Sequence, residues 1–387
     1  MKFGHVGFSI ITPTPRWIPS GGRLQPPPSR GRSFGEKHFQ MKKRVLVAMS
    51  GGVDSSVAAA LLQQKGYAVE GVTLKLSPGL CCDIASARAV CDHLGVPHRL
   101  LDARAEFSQK IVGDFISEYR RGRTPNPCIR CNDLIKFRVL LSYARSNEFE
   151  YLATGHYAQI EPDPVSSRLL LKKGVDAGKD QGYFLYQLTQ KQLKHVLFPL
   201  GGYCKTEVRE IAQKLKLSTA ERAESQEICF IPDNDYRSFL KEHAPETLRP
   251  GDMVLTDGTT VGRHDGIAFF TVGQRRKLGV AVGERLYVVR VEPNTNRVVL
   301  GPHDALLTKE MTVSDAHFIP FDELKTPMAV DVRIRSRSPF VPAVIEPLPL
   351  KLVRVAFDRP VAGVSPGQAA VFYNGDTVVG GGMIETS

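Results

Sequence analysis

The chain is predicted to form a doubly wound α/β domain with a parallel sheet, then a small connecting domain and a C-terminal antiparallel β-barrel. Three observations predict this. Apolar runs of strand length alternate with stretches of helical period from Arg44 to about residue 160, the pattern of a parallel sheet covered on both faces. A glycine-rich stretch, "SGGVDSS" at residues 50–56, joins the first of these strands to the first helix. Beyond about residue 233 short β-prone runs dominate, broken by Asp-Gly and Asn-Gly turns. The expected divisions are residues 1–40 as an extension, 41–232 as the α/β domain, 233–303 as the connector and 304–387 as the barrel.

The elements follow in order. "RVLVAM" reads as a buried strand. Residues 54–65 place Val57, Ala58, Leu61 and Leu62 on one helical face, and Gly66 ends the helix. "YAVEGVTLKL" is a second strand, residues 84–94 a helix, and "HRLLDA" a third strand. Phe107, Ile111, Phe115 and Tyr119 recur every four residues, as on a helix. "YLATGHYAQI" is expected to close the parallel series. Ligands of such sheets bind beyond the carboxyl ends of the strands, where residues 50–56, 74–76 and 154–156 would meet. Downstream, "GDMVLTDGTTVGRHDG" reads as a hairpin, and "AAVFYNGDTVV" turns on Asn374-Gly375.

With 387 residues, 42% of them apolar, the chain can bury a substantial core over two or three domains. No apolar run reaches the roughly 18 residues of a bilayer span, so a soluble protein is expected. The formal charge is +11, but residues 1–40 carry six Lys or Arg against one acid, leaving about +6 for the rest. That excess is compatible with a polyanionic partner without requiring one. Seven cysteines without a secretory signal point to reduced thiols in the cytoplasm. The basic head could be an organelle transit peptide; an unstructured extension, or a start assigned too early before Met41, is the plainer reading.

In residues 50–56 the glycines let an anion approach the backbone, and the next helix presents its positive end. Ser50, Ser55 and Ser56 add hydroxyls. Asp54 beside phosphates makes sense with Mg²⁺ between them. No Gly-Lys-Ser/Thr follows to grip a phosphate for transfer. The stretch resembles the PP-loop of ATP pyrophosphatases, which hold pyrophosphate while AMP goes to the substrate. The loop alone would equally suit small-molecule adenylating ligases.

"GRTPNPCIRCNDLIKF" at residues 122–137 supplies two stiffening prolines, then Cys128 and Cys131, then a helix expected to open at Asn132 or Asp133. A thiol at a helix start has its thiolate favoured. Cys229 follows in "ESQEICFI". Together with "AMSGGVDSS", "ATGHYA", "GKDQGYFLYQL", "FPLG", "EVREIA", "TVGQRRKLG" and "SPGQAAVFY", these motifs resemble the tRNA-specific 2-thiouridylases from Met41 to the C-terminus.

The resemblance implies a PP-loop, adenine nucleotide α-hydrolase-like fold and ATP-dependent 2-thiolation of the wobble uridine of the Lys, Glu and Gln tRNAs. It implies Cys131 as one catalytic thiol and Cys229 as the persulfide carrier, loaded by a cysteine desulfurase or a relay protein, with a Cys131–Cys229 disulfide as one route to sulfur release. Nucleotide contacts are implied at Ala48, Met49, Ser50, Gly51, Gly52, Val53, Asp54, Ser55, Leu74 and Gly155. RNA contacts are implied at Asn126, Pro127, Cys128, His156, Lys179, Asp180, Gln181, Arg333, Ile334 and Gln368. Many relatives have Asp where this chain has Cys128. The resulting CxxC, with Cys229, gives three thiolates that would suit a four-iron four-sulfur cluster; the alternative is Cys128 as a spectator. Zinc lacks an obvious fourth ligand beyond His156.

Several positions also have plainer readings. Lys179, Asp180 and Gln181 would otherwise be a polar turn, and His156 a surface histidine. Arg333, Arg335 and Arg337, if on one strand, form a stripe suited to RNA phosphates, with Arg275, Arg276 and Lys277 as a second basic cluster; a solvated strand face is the alternative. Cys81 and Cys82 have no assigned role, and Cys91 and Cys204 read as core. A non-catalytic iron–sulfur protein that binds RNA remains a third class of function.

Overall fold

The computed structural model describes residues 42–76, 83–222, 228–231, 235–280 and 283–386. The basic head, Cys81, Cys82 and residues 224–227 of the Cys229 motif lie outside the described residues.

The first domain is built on five parallel strands: β1 (Arg44–Ala48), β2 (Ala68–Lys75), β3 (His98–Asp102), β4 (Tyr151–Ala153) and β7 (Val196–Leu197), in the order β3-β2-β1-β4-β7. Helix α1 (Val53–Gln64) buries Val57, Ala58, Leu61 and Leu62, as its spacing predicts. The next helix, α2 (Ile84–Leu94), is capped by Asp83, whose carboxylate accepts from the Ser86 N–H at 2.9 Å, and it ends on Gly95 in the left-handed region. Because β1 has β2 on one side and β4 on the other, the loops leaving β1 and β4 diverge at the switch point of the sheet. Ligands of such sheets bind there.

Phe107, Ile111, Phe115 and Tyr119 fall on a helical stretch made of α3 (Arg104–Phe107), a π-helical segment at Ser108–Val112 and α4 (Gly113–Arg120). All four are buried. Phe115 meets Tyr119 edge-on at 4.9 Å and Phe230 at 5.4 Å. The same cluster holds Cys131 and Ile231, so the residues flanking Cys229 are anchored in the core beneath the first domain.

The second cysteine segment differs from expectation. A helix, α5 (Pro127–Cys131), begins five residues earlier than Asn132, with Pro127 in its first turn. Proline is at home there because that N–H has no helical partner. The helix continues as a π-helix at Asn132–Leu140 and as α6 (Leu141–Ser146). The run "YLATGHYAQI" also divides. Only β4 joins the parallel sheet, while β5 (Ala158–Pro162) and β6 (Leu169–Lys173) form a hairpin that pairs with the C-terminal sheet.

After α7 (Gln190–Leu193), α8 (Lys205–Lys214) and α9 (Tyr236–His243), a four-stranded sheet forms from β8 (Gly251–Leu255), β9 (Thr260–His264), β10 (Tyr287–Glu292) and β11 (Arg297–Gly301). The expected Asp257-Gly258 turn joins β8 to β9, with Gly258 at φ +91°. The last six strands are β12 (Leu307–Phe318), β13 (Met328–Arg333), β14 (Val341–Pro347), β15 (Val353–Ala362), β16 (Ala369–Asn374) and β17 (Thr377–Thr386). They run in the order β12-β15-β14-β13-β16-β17, and β17 pairs back onto β12 to close an antiparallel barrel. Among the described residues, no helix is long and apolar enough to cross a membrane.

Phe115→Ala would empty the ring cluster that ties α4 to the Cys229 segment. It is expected to destabilise the protein by about 3–5 kcal/mol, read as a lower urea midpoint; Phe115→Leu should recover most of the loss. An unchanged midpoint would show that this cluster is not part of the core.

Candidate active site

The glycine-rich loop lies where the sheet topology places it. Gly51 has φ +81°, a conformation open to glycine, and a Cβ there would come within 2.5 Å of the Asp83 carbonyl oxygen. The hydroxyls of Ser50 and Ser55 stand 3.3 Å apart, and the Ser50 N–H donates to Ser55 Oγ. Ala48, Met49 and Val53 form the apolar floor, with Leu74 buried at the end of β2. Gly155 lies against the same loop: a Cβ would stand 2.8 Å from the Asp54 carbonyl carbon and the Ser55 nitrogen. Its missing side chain therefore lets the β4 loop meet the β1 loop.

Asp54 has partners that the sequence reading missed. Its carboxylate accepts from Lys205 Nζ at 2.6 and 2.8 Å and from the Tyr157 hydroxyl at 2.7 Å. Lys205, at the start of α8, is a buried lysine. The loop carries no lysine of its own, and the fold brings one to it from a distant part of the chain. Its only sequence signal was its place just before "EVREIA", and helical periodicity cannot distinguish a buried lysine from a solvated one. Arg222 adds a clamp: its guanidinium donates to the Gly51 carbonyl (3.0 Å), to Asp83 (2.7 Å) and to Ser86 (3.0 Å). Hydrogen bonds from Ser86 and Arg222 hold the Asp83 carboxyl down to about 2.

Contacts lead from this loop to the thiols. His156, next to Gly155, is buried between Phe137 and Phe198 (ring centroids 5.9 Å away in each case), and its Nδ1 lies 2.6 Å from Thr154 Oγ1. It is not the surface histidine that the plainer reading expects. Burial, with the charge of Lys136, drives its pKa well below the ordinary value, so it is neutral at pH 7. Phe137 belongs to the helix that carries Cys131.

Cys131 is enclosed in the apolar cluster, whereas Cys128 and Cys229 reach the surface. The surroundings of Cys128 nonetheless desolvate its thiol in part. That environment raises its pKa, the nearby Cys229 raises it further, and Lys136 opposes them. Lys136 thus acts on both Cys128 and His156, and Cys229 on Cys128, while Gly155, next to His156, touches the glycine-rich loop. Among the described residues no three His, Cys, Asp or Glu side chains are gathered to hold a metal ion. Cys128, Cys131 and Cys229 are therefore not gathered as a ligand set for a cluster.

The other candidate RNA contacts have internal partners. Gln181 accepts from the Tyr157 N–H, and Asp180 accepts from the N–H groups of Gly174 and Gly182. Arg333 lies 3.7 Å from Asp180 and stacks on Phe340. Lys179, half-buried, lies in the same turn. The expected arginine stripe is corrected: β13 ends at Arg333, Ile334 packs inside the barrel, and Arg335 turns to donate to the Val272 and Gly363 carbonyls. Gln368 donates to the carbonyls of Thr124 and Pro125 (2.9 and 3.4 Å), just ahead of Asn126 and Pro127 in the cysteine loop.

Comparison with known proteins identifies the lineage. Residues 43–233 match a family model described as the tRNA methyl transferase HUP domain, 237–302 its PRC-barrel domain and 308–384 an aminomethyltransferase β-barrel domain. Proteins named tRNA-specific 2-thiouridylase MnmA from Acetivibrio thermocellus and Carboxydothermus hydrogenoformans are each 47% identical over 357 residues, covering 89% of this chain and 99% and 98% of theirs. The namesake of Clostridioides difficile is 44% identical over 358 residues, covering 90% of this chain and 99% of its own. The chain belongs to the tRNA-specific 2-thiouridylase family. Its fold is the three-part architecture that those models describe, and the family resemblance read from the motifs holds.

Lys205→Met would leave Asp54 without its cation and the loop without a lysine. Binding of Mg²⁺–ATP, followed by calorimetry, is expected to weaken by about 10–100-fold, the loss of one charge-assisted contact, with Lys205→Arg recovering part. Unchanged binding would make the Asp54–Lys205 pair purely structural.

Proposed function

We propose that the protein is an ATP-dependent tRNA-uridine 2-sulfurtransferase acting on the wobble uridine. What supports this reading is a run of contacts: Gly155 lies against the glycine-rich loop, its neighbour His156 packs on Phe137 of the helical stretch that carries Cys131, and Cys229 is near enough to Cys128 to act on its thiol. A small-molecule ligase needs the first part of that run and has no use for the thiols. A passive iron–sulfur protein has no use for the loop.

The N–H groups and hydroxyls of residues 50–56 hold the pyrophosphate end of ATP, and Asp54 would hold Mg²⁺, which neutralises the phosphate charge as pyrophosphate departs. The uracil O2 attacks the α-phosphorus, pyrophosphate leaves, and O2, now esterified as an adenylate, can depart from C2 as AMP. Cys229, reaching the surface, accepts sulfur from a desulfurase or relay protein, a transfer that an enclosed thiol such as Cys131 could not make. The terminal persulfide sulfur attacks C2 and AMP departs with the former O2. Cys131 then attacks the inner sulfur of Cys229, leaving the thiocarbonyl on the base and a Cys131–Cys229 disulfide for a thiol reductant to reopen. Buried, neutral His156 contributes no charge at pH 7 and acts as a polar wall of the base pocket.

Expression in a strain lacking 2-thiouridine should restore that nucleoside in digested tRNA. Cys131→Ser and Cys229→Ser should each abolish it, and Asp54→Ala should lose thiolation while still binding tRNA. No recovered 2-thiouridine would refute the proposal. Iron and acid-labile sulfide should both be absent from anaerobically purified, fully active protein; stoichiometric amounts of both would replace the persulfide route with a cluster held by Cys128, Cys131 and Cys229.

A further inference from the structure

The glycine-rich loop is held from two sides. The Gly52 carbonyl accepts from the Ser55 and Ser56 hydroxyls at 3.1 and 2.9 Å, both within α1. The Gly51 carbonyl is held instead from outside, by Arg222 Nη1 at 3.0 Å. That nitrogen also reaches Asp83 Oδ2 at 2.7 Å and Ser86 Oγ at 3.0 Å, so Arg222 joins the loop to the first turn of α2. The place of Arg222 is set in turn by α8. Arg209 on that helix donates to the Ala220 carbonyl at 3.2 Å, two residues before Arg222. Lys205, one turn earlier on the same helix, holds Asp54. The chain around residue 222 is thus fixed to the element that already serves the loop.

This hold matters most at the peptide between Gly51 and Gly52. In a planar trans peptide the C=O and the following N–H point in opposite directions. With the Gly51 carbonyl turned outward to Arg222, the Gly52 N–H faces Ser50 Oγ, 3.4 Å away, and the Ser50 and Ser55 hydroxyls stand 3.3 Å apart on that inner side. A peptide flanked by two glycines can flip with little steric hindrance. The flip would withdraw an N–H donor and aim a carbonyl oxygen at an incoming phosphate. Donors that must first be ordered bind an anion less tightly than donors already set. We propose that Arg222 is a positioning residue for the pyrophosphate end of ATP. It pins the Gly51–Gly52 peptide with its N–H inward, and it acts through that peptide without touching the phosphates. The proposal rests on the nucleotide-binding part of the sulfurtransferase reading.

The test compares Arg222→Gln, Arg222→Lys and Asp83→Asn with the wild type, each as the full chain. Calorimetry would measure affinity for Mg²⁺–pyrophosphate and, separately, for AMP, while thermal melts follow the fold. Asparagine at position 83 keeps a capping side chain for α2 but takes from Arg222 the carboxylate that holds it. In Arg222→Gln pyrophosphate binding should weaken about tenfold, with AMP affinity and melting temperature close to those of the wild type. Arg222→Lys should recover part of the loss, and Asp83→Asn should weaken pyrophosphate binding in the same direction. Tighter binding in Asp83→Asn would overturn the proposal, because a freed guanidinium would then be meeting the phosphates directly. Parallel losses of pyrophosphate and AMP with a lower melting temperature would also overturn it and leave Arg222 a purely structural clamp. Wild-type protein that binds neither pyrophosphate nor AMP would remove the nucleotide reading itself. Wild-type binding that Arg222→Gln leaves unaffected would remove only the role given to Arg222.

Discussion

The structure depends on how residues 122–125, the root of the cysteine helix, are held. Arg123 is the hub. Its guanidinium donates to Glu118 from the first domain (2.7 Å) and to Glu385 from the last strand, and Glu385 is itself bonded by Ser314 of β12. The Thr124 N–H donates to the Pro366 carbonyl at 2.8 Å, and Gly367, at φ +88°, has no room for a Cβ because Arg123 and Thr124 stand 2.9 Å away. On the other side Gly122 packs on Val291 of β10 and on Pro293 just past that strand. Little of Arg123 or Glu118 is exposed. Removing one partner of such a network strands a desolvated charge and costs far more than a surface pair would contribute. The orientation of Cys128 and Cys131 is therefore fixed by residues 170 to 260 positions later in the chain as much as by their own helix.

The nucleotide loop follows the same logic on a smaller scale. Asp54 is held by a lysine from α8 and a tyrosine that follows β4, and Gly51 by an arginine that precedes the Cys229 segment. At about 3 Å, opposite charges in a partly buried setting attract by several kcal/mol, so a dication arriving at Asp54 has to share or displace Lys205. Sharing would be the cheaper arrangement if the phosphates of a bound nucleotide offered Lys205 Nζ new partners. A loop without its own lysine thereby has a cation brought to it by the fold.

The first domain was legible because its elements are local. A run such as "RVLVAM" or the four-residue repeat from Phe107 to Tyr119 encodes its own conformation, and a glycine-rich turn between strand and helix encodes an anion site. The cysteine helix was misplaced because its entry, Asn126-Pro127, makes no side-chain cap, and Pro127 reads as a loop residue until its neighbours are known. The arginine stripe failed because alternation predicts facing only while a strand lasts, and β13 stops at Arg333. Lys205, Lys136 and Arg222 were illegible for a common reason. A cation is assigned to solvent by default, and only tertiary contacts show a carboxylate, a thiol or a carbonyl waiting for it.

The internal partners of the candidate RNA contacts change what those contacts can do. Gln368 already donates to two carbonyls, Arg333 already faces Asp180, and Gln181 already binds the Tyr157 backbone. A hydrogen bond that RNA gains from any of them is offset by one that the protein loses, so the net contribution to affinity is small. The exchange can still bias a conformation, because a ligand shifts an equilibrium by its differential contacts with the two states. Gln368 makes this concrete. Its partners, the Thr124 and Pro125 carbonyls, lie at the root of the thiol helix, so any ligand that captured this amide would loosen the segment that fixes Cys131.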